Sequence, residues 1–283
     1  MGVTLKTGEF DLMRDFIETM CGILVGGDKA YLIESRLSAL VAESGCDSFR
    51  EFYFKAKHDN NPALRDRIVD LMTTNETLWF RDNHPFLVLR QVVLPALCQE
   101  IEQGKRSTVR IWSAASSSGQ EPYSVAMCVL EATRGRARAR PEQFEILATD
   151  ISTTALRLAQ LGRYDRIAIS RGLPDDLRDR YFKDEGRVWT LCDEVKKRVQ
   201  FKKFNLQDSF AALGSFDIVL CRNVAIYFSD SFKRSLFAKI ARCLRPGGIL
   251  LLGSSESISG YSAQFEMLEH NRSIYYRVRS QTA

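Results

Sequence analysis

The sequence predicts an α/β protein in which a doubly wound, largely parallel sheet follows an N-terminal helical domain. Three observations predict it. The first seventy residues carry helical periodicity without strand alternation. From about residue 86 strands alternate with helices, as they do when crossover helices cover a parallel sheet. One strand–helix junction, SAASSSGQEPYSVAM at 113–127, is a tight turn of small residues of the kind that passes close to a bound nucleotide.

In the helical part, Phe10, Met13, Phe16, Ile17 and Met20 recur at spacings of three and four. Leu32, Ile33, Leu37 and Leu40 do the same, and so do Leu64, Ile68, Leu71 and Met72. Breaks at GILVGGD, SGCD and HDNNP divide the stretch into about four short helices, a domain over 1–72. TTNETLWFRDNHP supplies a polar, irregular connector over 73–85, and the sheet domain occupies 86–283. There VLRQVVLPALCQEIEQG reads as a helix and VRIWSA as a buried strand. EPYSVAMCVLEATRG is a helix with Pro122 in its first turn, where a missing N–H is harmless. FEILATD is a second strand. STTALRLAQLG is a helix with Ser152 as N-cap and Gly162 past its end. RVQFKKFNL and SFDIVLCRN are the third and fourth strands. SDSFKRSLFAKIARCL is a helix with Phe232, Leu236, Phe237, Ile240 and Leu244 on one face. GGILLLGSSE and SIYYRVR are two further strands. The alternation breaks over 172–199, where short extended runs between turn residues predict a small antiparallel β insertion. Insertions on such sheets commonly carry partner or substrate contacts.

Net charge is +5 overall, −3 over residues 1–70 and +8 over 71–283. The basic part is compatible with an acidic partner, either a protein surface or nucleic acid. Seven scattered cysteines, never in C-x-x-C, predict free thiols in a reducing cytoplasm rather than disulfides or zinc. Three widely spaced histidines, His58, His84 and His270, argue against a metal centre or a Ser-His-Asp triad. The N-terminus shows no secretory pattern and no apolar run has membrane-spanning length, so a cytoplasmic chain without membrane insertion is expected.

Dinucleotide-binding turns usually hold three glycines, because backbone N–H groups must close on a pyrophosphate. This turn has one, Gly119, among alanines and serines. S-adenosylmethionine (AdoMet) has adenine, ribose and a methionine tail but no phosphate. It needs the close backbone approach without the phosphate nest. A plain strand–helix connection is the alternative for this stretch alone. Three further features favour the ligand. Asp150 ends the second strand, where an acid accepts hydrogen bonds from both ribose hydroxyls. The fourth strand runs into polar residues at the carboxyl edge of the sheet, where ligands of such folds sit. LRPGGILLLG places a Pro-Gly-Gly turn before an apolar strand. In this order they form the pattern of a Rossmann-like AdoMet-dependent methyltransferase sheet.

Beyond that pattern, TTNETLWFRD, SAASSSGQEPYS, LATDIS, FNLQD, FDIVLCRNVAIYF and LRPGGILLLGSSE resemble the chemotaxis receptor glutamate methyltransferases of the CheR type. The motifs spread from about residue 70 to 275, and the family layout also has an N-terminal helical unit. The resemblance implies methyl transfer from AdoMet to glutamate carboxylates on the cytoplasmic helices of a chemoreceptor, with release of S-adenosylhomocysteine. By position it implies that Asn75, Thr77 and Arg81 fold over the cofactor, Arg81 meeting the methionine carboxylate. It implies Glu121 on the polar part of the cofactor, Asp150 on the ribose, and Asn205 and Leu206 beside the adenine. Arg222, Asn223 and Tyr227 are implied near the transferred methyl, with Tyr227 positioning the substrate; Arg81 and Tyr227 are the catalytic candidates. A glutamate of pKa about 4.3 is already ionised at neutral pH, so no general base is needed. The enzyme has to supply alignment and partial desolvation.

The chain departs from the family in places. The turn reads Gln120-Glu121-Pro122 in place of Glu-Glu-Pro, and Ala225 stands where leucine often precedes Ile226 and Tyr227. In several members the second helix is strongly basic; KAYLIESRLSAL offers only Lys29 and Arg36, which predicts weaker receptor docking through it. The short insertion predicts independence from a receptor C-terminal pentapeptide. A monomer is expected, and nucleic acid is not an expected partner. Three alternatives remain. KKRVQFKKF suggests a nucleic-acid methyltransferase, although any strand with one wet face alternates in this way. A non-catalytic AdoMet-binding adaptor and a small-molecule carboxyl methyltransferase are the other two.

Overall fold

A computed structural model describes residues 3–59 and 62–279. Asn60 and Asn61 of the HDNNP break, and the ends of the two predicted domains at 1–2 and 280–283, lie outside the described residues. Four helices come first: α1 (Glu9–Cys21), α2 (Ala30–Glu43), α3 (Phe49–His58) and α4 (Pro62–Met72). They bury Met13, Ile17, Ile33, Leu37, Phe49, Phe52 and Ile68 in a core of their own. Ser48 caps α3 by accepting from the Glu51 N–H.

The connector is irregular, as its composition implies, but it is not polar throughout. Trp79 and Phe80 are buried. Trp79 lies edge-on to Tyr164 and Phe182, with centroids 4.8 and 5.2 Å away, and so anchors the connector. Next, α5 (His84–Val88) runs through a π turn (Leu89–Val93) into α6 (Leu94–Glu102). Pro95 lacks an N–H, and the helical ladder changes register just ahead of it.

The remaining elements are β1 (Val109–Ala114), α7 (Gln120–Thr133), β2 (Phe144–Asp150), α8 (Thr153–Leu161), β3 (Arg163–Asp165), α9 (Arg166–Ser170), α10 (Asp175–Tyr181) and β4 (Phe182–Asp184). They continue as β5 (Val188–Leu191), α11 (Asp193–Lys196), β6 (Val199–Lys203), β7 (Phe216–Cys221), α12 (Asp230–Cys243), β8 (Leu244–Leu251), β9 (Phe265–His270) and β10 (Ser273–Val278). The seven-stranded sheet has the order β6-β2-β1-β7-β8-β10-β9. Its first five strands are parallel, and β10 pairs antiparallel with both β8 and β9. Strand order reverses between β1 and β7, which opens a crevice at their carboxyl ends.

Three differences from the sequence reading have plain causes. β9 was not anticipated: FEMLEH pairs only with β10 at the sheet edge, and its acids face water, so it lacks an apolar run. Pro246, Gly247 and Gly248 do not precede the last parallel strand but form an irregularity inside it, between the pairs Phe216–Leu244 and Ile218–Ile249. The small antiparallel sheet, of order β3-β5-β4, takes its first strand from Arg163–Asp165, ahead of the expected start at 172.

Polar contacts join the helical and sheet parts. Lys203 pairs with Asp66 at 2.6 Å, so this lysine of the KKRVQFKKF run serves the junction. Asp70 accepts from the hydroxyls of Thr153 (3.2 Å) and Thr154 (2.7 Å) in the first turn of α8. Arg36 donates to the Met72 carbonyl (2.7 Å) and Thr74 Oγ1 (3.2 Å), holding the start of the connector. Among the described residues no helix is long and apolar enough to cross a membrane.

Candidate active site

The carboxyl ends of β1, β2 and β7 meet the connector and the end of α1 at one cleft, which encloses about 880 Å³, part of it open to solvent. Asn75, Thr77, Arg81, Glu121 and Asp150 line it, as do Asn205, Leu206, Arg222, Asn223 and Tyr227. They are held there by different means.

On the β1 side the backbone does the shaping. Ala115 (φ 61°), Ser117 (φ 50°) and Gly119 (φ 94°) all take left-handed conformations. Two of the three carry side chains, at roughly 1–2 kcal/mol apiece. Gly119 has no such latitude, because a Cβ there would lie 2.9 Å from the Ala159 Cβ and 3.1 Å from the Tyr123 ring. Asp150 fixes the turn: its Oδ2 accepts from the Ser117 N–H (2.7 Å) and its Oδ1 from the Ser152 N–H (2.9 Å). Ser117 Oγ donates to the Asn75 carbonyl (2.9 Å), which ties the connector to the turn. Burial pushes the Asp150 carboxyl above the usual carboxylate range; the N–H groups of Ser152, Ser117 and Ile151 oppose that shift, and nearby Asp70 adds to it. Each Asp150 oxygen keeps a lone pair for a further donor.

On the β7 side charged side chains do the shaping. Arg222 is buried and donates to Glu121 Oε2 (2.8 Å), Asp82 Oδ2 (2.9 Å) and the Arg81 carbonyl (2.5 Å). Glu121, in the first turn of α7, also accepts from Ser113 Oγ (2.7 Å). Burial opposes ionisation of Asp82, but the Ser254 N–H and the Arg222 guanidinium outweigh it and hold the carboxyl below its usual range. In the sequence Asp82 has a single signal, its place at the end of TTNETLWFRD. Glu256 is likewise outside the expected site residues, and it accepts from three successive amides of the loop after β7.

Arg81 donates to the Glu76 carbonyl (2.9 Å) from the cleft rim. The Asn205 side chain is engaged elsewhere: it donates to the Met20 carbonyl (2.8 Å) and accepts from the Gln207 N–H (3.0 Å), fastening α1 to the sheet. Leu206 is buried beside it. Tyr227 is half-buried in a 3-10 turn (Ala225–Tyr227), and its carbonyl accepts from the Leu24 N–H (2.8 Å). Ile23 bridges Phe228 in the same place, so the segment after α1, with Cys21 and Ile23, closes one wall. Burial pushes the Cys21 thiol up to about 11, and it stays protonated at neutral pH. Among the described residues no histidine lines the cleft, and no group of three His, Cys, Asp or Glu side chains could hold a metal.

The cleft offers buried polar groups that a nucleoside ligand can satisfy. Ser116 Oγ in its wall and Arg222 Nε are buried without a partner among the described residues, which is the condition a ligand relieves. Asp150 adds a carboxylate with spare acceptor capacity. A doubly wound sheet of this order, with a ligand turn after β1 and a cradled acid after β2, defines an S-adenosylmethionine-dependent methyltransferase. Within that class the chain belongs to the CheR methyltransferase family. Residues 75–274 match the CheR methyltransferase, SAM binding domain, and residues 8–73 match the CheR methyltransferase, all-alpha domain. The chain is 43% identical over 279 residues to the chemotaxis protein methyltransferase Cher2 of Pseudomonas putida, covering 97% of this chain and 100% of that protein. It is 45% identical over 279 residues to the chemotaxis protein methyltransferase of Vibrio anguillarum (98% and 99% covered). It is 43% identical over 279 residues to chemotaxis protein methyltransferase 1 of Pseudomonas aeruginosa (98% and 100% covered).

Proposed function

We propose that the protein methylates glutamate side chains on the cytoplasmic helices of chemoreceptors, forming glutamate methyl esters for adaptation in chemosensory signalling. The observation that carries this reading is that, among the described residues, no histidine lines the cleft and its acids are already engaged as hydrogen-bond acceptors. Asp150 is held by two N–H groups, Glu121 by Arg222 and Ser113, and Glu76 by Arg171, while the Cys21 thiol is protonated. Such a site suits an acceptor that arrives already ionised, as a glutamate of pKa about 4.3 does.

When bound, S-adenosylmethionine supplies an electrophilic methyl on a sulfonium. In this reading Asp150 accepts from the ribose hydroxyls, Leu206 and the Asn205 backbone border the adenine, and Arg81 meets the tail carboxylate. Asn75 and Thr77 fold over the same ligand from the connector. Glu121 faces the tail ammonium with its remaining lone pairs. Arg222 and Asn223 lie on the acceptor side, and Tyr227 orients the incoming carboxylate. The residues align the acceptor and strip part of its water, which strengthens its attraction to a cationic donor. Each turnover removes one negative charge from the receptor bundle, so methylation alters helix packing through electrostatics. The small sheet has strands of only three and four residues, which supports action without a receptor C-terminal pentapeptide.

The test incubates the protein with methyl-labelled AdoMet and chemoreceptor cytoplasmic fragments, with and without their C-terminal tails. Base-labile label on glutamate, equal in both fragments, is the expected result. Cofactor binding without any labelled fragment rejects the acceptor, and label that depends on the tail rejects the tether-free reading.

A further inference from the structure

We propose that Glu256 is a positioning residue for methyl transfer, its carboxylate setting the shape of the loop that presents Asn223 and Tyr227 to the cleft. The inference rests on the functional reading above for the reaction it serves. Glu256 follows β8 and is not part of the cleft lining. Its Oε2 accepts from the N–H groups of Asn223 (2.6 Å) and Gly253 (2.9 Å). Its Oε1 accepts from those of Val224 (3.1 Å) and Ala225 (3.0 Å). One ionised side chain thus gathers three successive amides of a loop contributed by the neighbouring strand. Charge-assisted bonds of this kind are short and strong, and they specify direction as well as distance.

The three adjacent amides gather on one carboxylate at the entry to the 3-10 turn, where the backbone leaves strand geometry. Asn223 does so, with φ 54°. For a residue with a side chain this conformation persists only when its surroundings hold it. The approach is close: a Cβ on Gly253 would lie 2.6 Å from Asn223 Nδ2 and 2.9 Å from Glu256 Oε2. Arg222 is held by Glu121 and Asp82, neither of them a partner of Glu256, although Asp82 also accepts from the Ser254 N–H (3.1 Å) of the Glu256 loop. The direct hold of Glu256 is therefore on residues 223–227, next to Tyr227; it reaches the Arg222 ion pairs only through Ser254, and it does not touch the Asp150 side of the cleft.

The comparison uses the full chain with Glu256→Gln and Glu256→Asp. Glutamine keeps the shape but turns one acceptor oxygen into a donor facing N–H groups. Aspartate keeps the charge but is one methylene short. Turnover with receptor fragment should fall about 100-fold in Glu256→Gln, the scale of an ångström-sized misplacement of a reacting group, and less in Glu256→Asp. Affinity for S-adenosylhomocysteine by calorimetry should change by less than about threefold, well under a tenfold step. Amide hydrogen exchange at Asn223, Val224 and Ala225 should accelerate in Glu256→Gln, while β1 and β7 stay protected. Retained turnover in Glu256→Gln, or unchanged exchange at those amides, overturns the proposal. So does a fall in thermal midpoint with turnover per cofactor-binding molecule unchanged. If Glu256→Gln does not fold, Glu256→Asp decides the question by the same readouts. If wild type binds S-adenosylhomocysteine yet labels no receptor fragment, the functional reading fails, and the exchange comparison still decides whether Glu256 sets this loop.

Discussion

The loops after β1 and β7 leave adjacent strands at the same edge of the sheet, yet they are built on opposite principles. The first is shaped by backbone: Ala115, Ser117 and Gly119 adopt left-handed conformations, and one carboxylate, Asp150, receives the Ser117 amide. The second is shaped by charge: Arg222 is clamped between Asp82 and Glu121, and Glu256 collects three amides. Bare backbone can pass close to a ligand, which suits holding a cofactor. A loop pinned from behind by buried ion pairs carries its side chains rigidly, which suits alignment of an acceptor.

The largest test of that contrast removes the charge at the centre of the second loop. Arg222→Ala leaves Glu121 and Asp82 in a poorly hydrated site without their cation. It should destabilise the protein by about 3 kcal/mol or more in denaturant unfolding. A loss below about 1 kcal/mol would mean that water replaces the guanidinium and that the clamp is incidental. Next in size is the acid that serves the first loop. Asp150→Ala should weaken S-adenosylhomocysteine binding about 100-fold, the loss of two hydrogen bonds to a charged acceptor. Near-normal affinity by calorimetry would remove the ribose from Asp150. The pH dependence has a definite sign. In the proposed pose the ionised carboxylate accepts from the ribose; burial raises its pKa, so affinity should be full above that raised value and fall as pH drops through it. The Ala variant should be flat over the same range. The smallest effect concerns backbone strain. Ala115→Gly relieves a left-handed conformation but loosens the unfolded chain. A net stabilisation of no more than about 1 kcal/mol is expected in thermal unfolding, with cofactor affinity unchanged. Destabilisation beyond that range would show that the Ala115 methyl contributes packing.

The range of an interaction decides whether a linear pattern shows it. Ser152 and Gly162 bound α8 as read, with Ser152 Oγ accepting from the Ala155 N–H, because caps act within a few residues. The central parallel strands β1, β2 and β7 are visible because burial on both faces leaves near-continuous apolar runs, whereas β6 at the edge shows alternation instead. β9 was invisible because an edge strand keeps its charges in water. Trp79 stands in a stretch rich in polar residues, and only Tyr164 and Phe182, far along the chain, give its ring a site. The cleft residues were legible from motifs, but their attachments were not. The Asn205 amide serves α1, Arg36 serves the connector, and Asp82 and Glu256 act through partners more than thirty residues away.

By itself the sequence determined the helical domain, the parallel strands with their crossover helices, and the residues that gather at the carboxyl edge. The first two follow from periodicity and capping within about a dozen neighbouring residues, and Asp150 from its place at a strand end; the other edge residues follow from the resemblance of their motifs to one family. The tertiary structure alone decided how two adjacent loops came to be held, one by backbone conformation and the other by buried charge. Ion pairs and amide cradles form between segments that the chain brings together only after folding. Their contribution depends on burial and distance, which no linear pattern records.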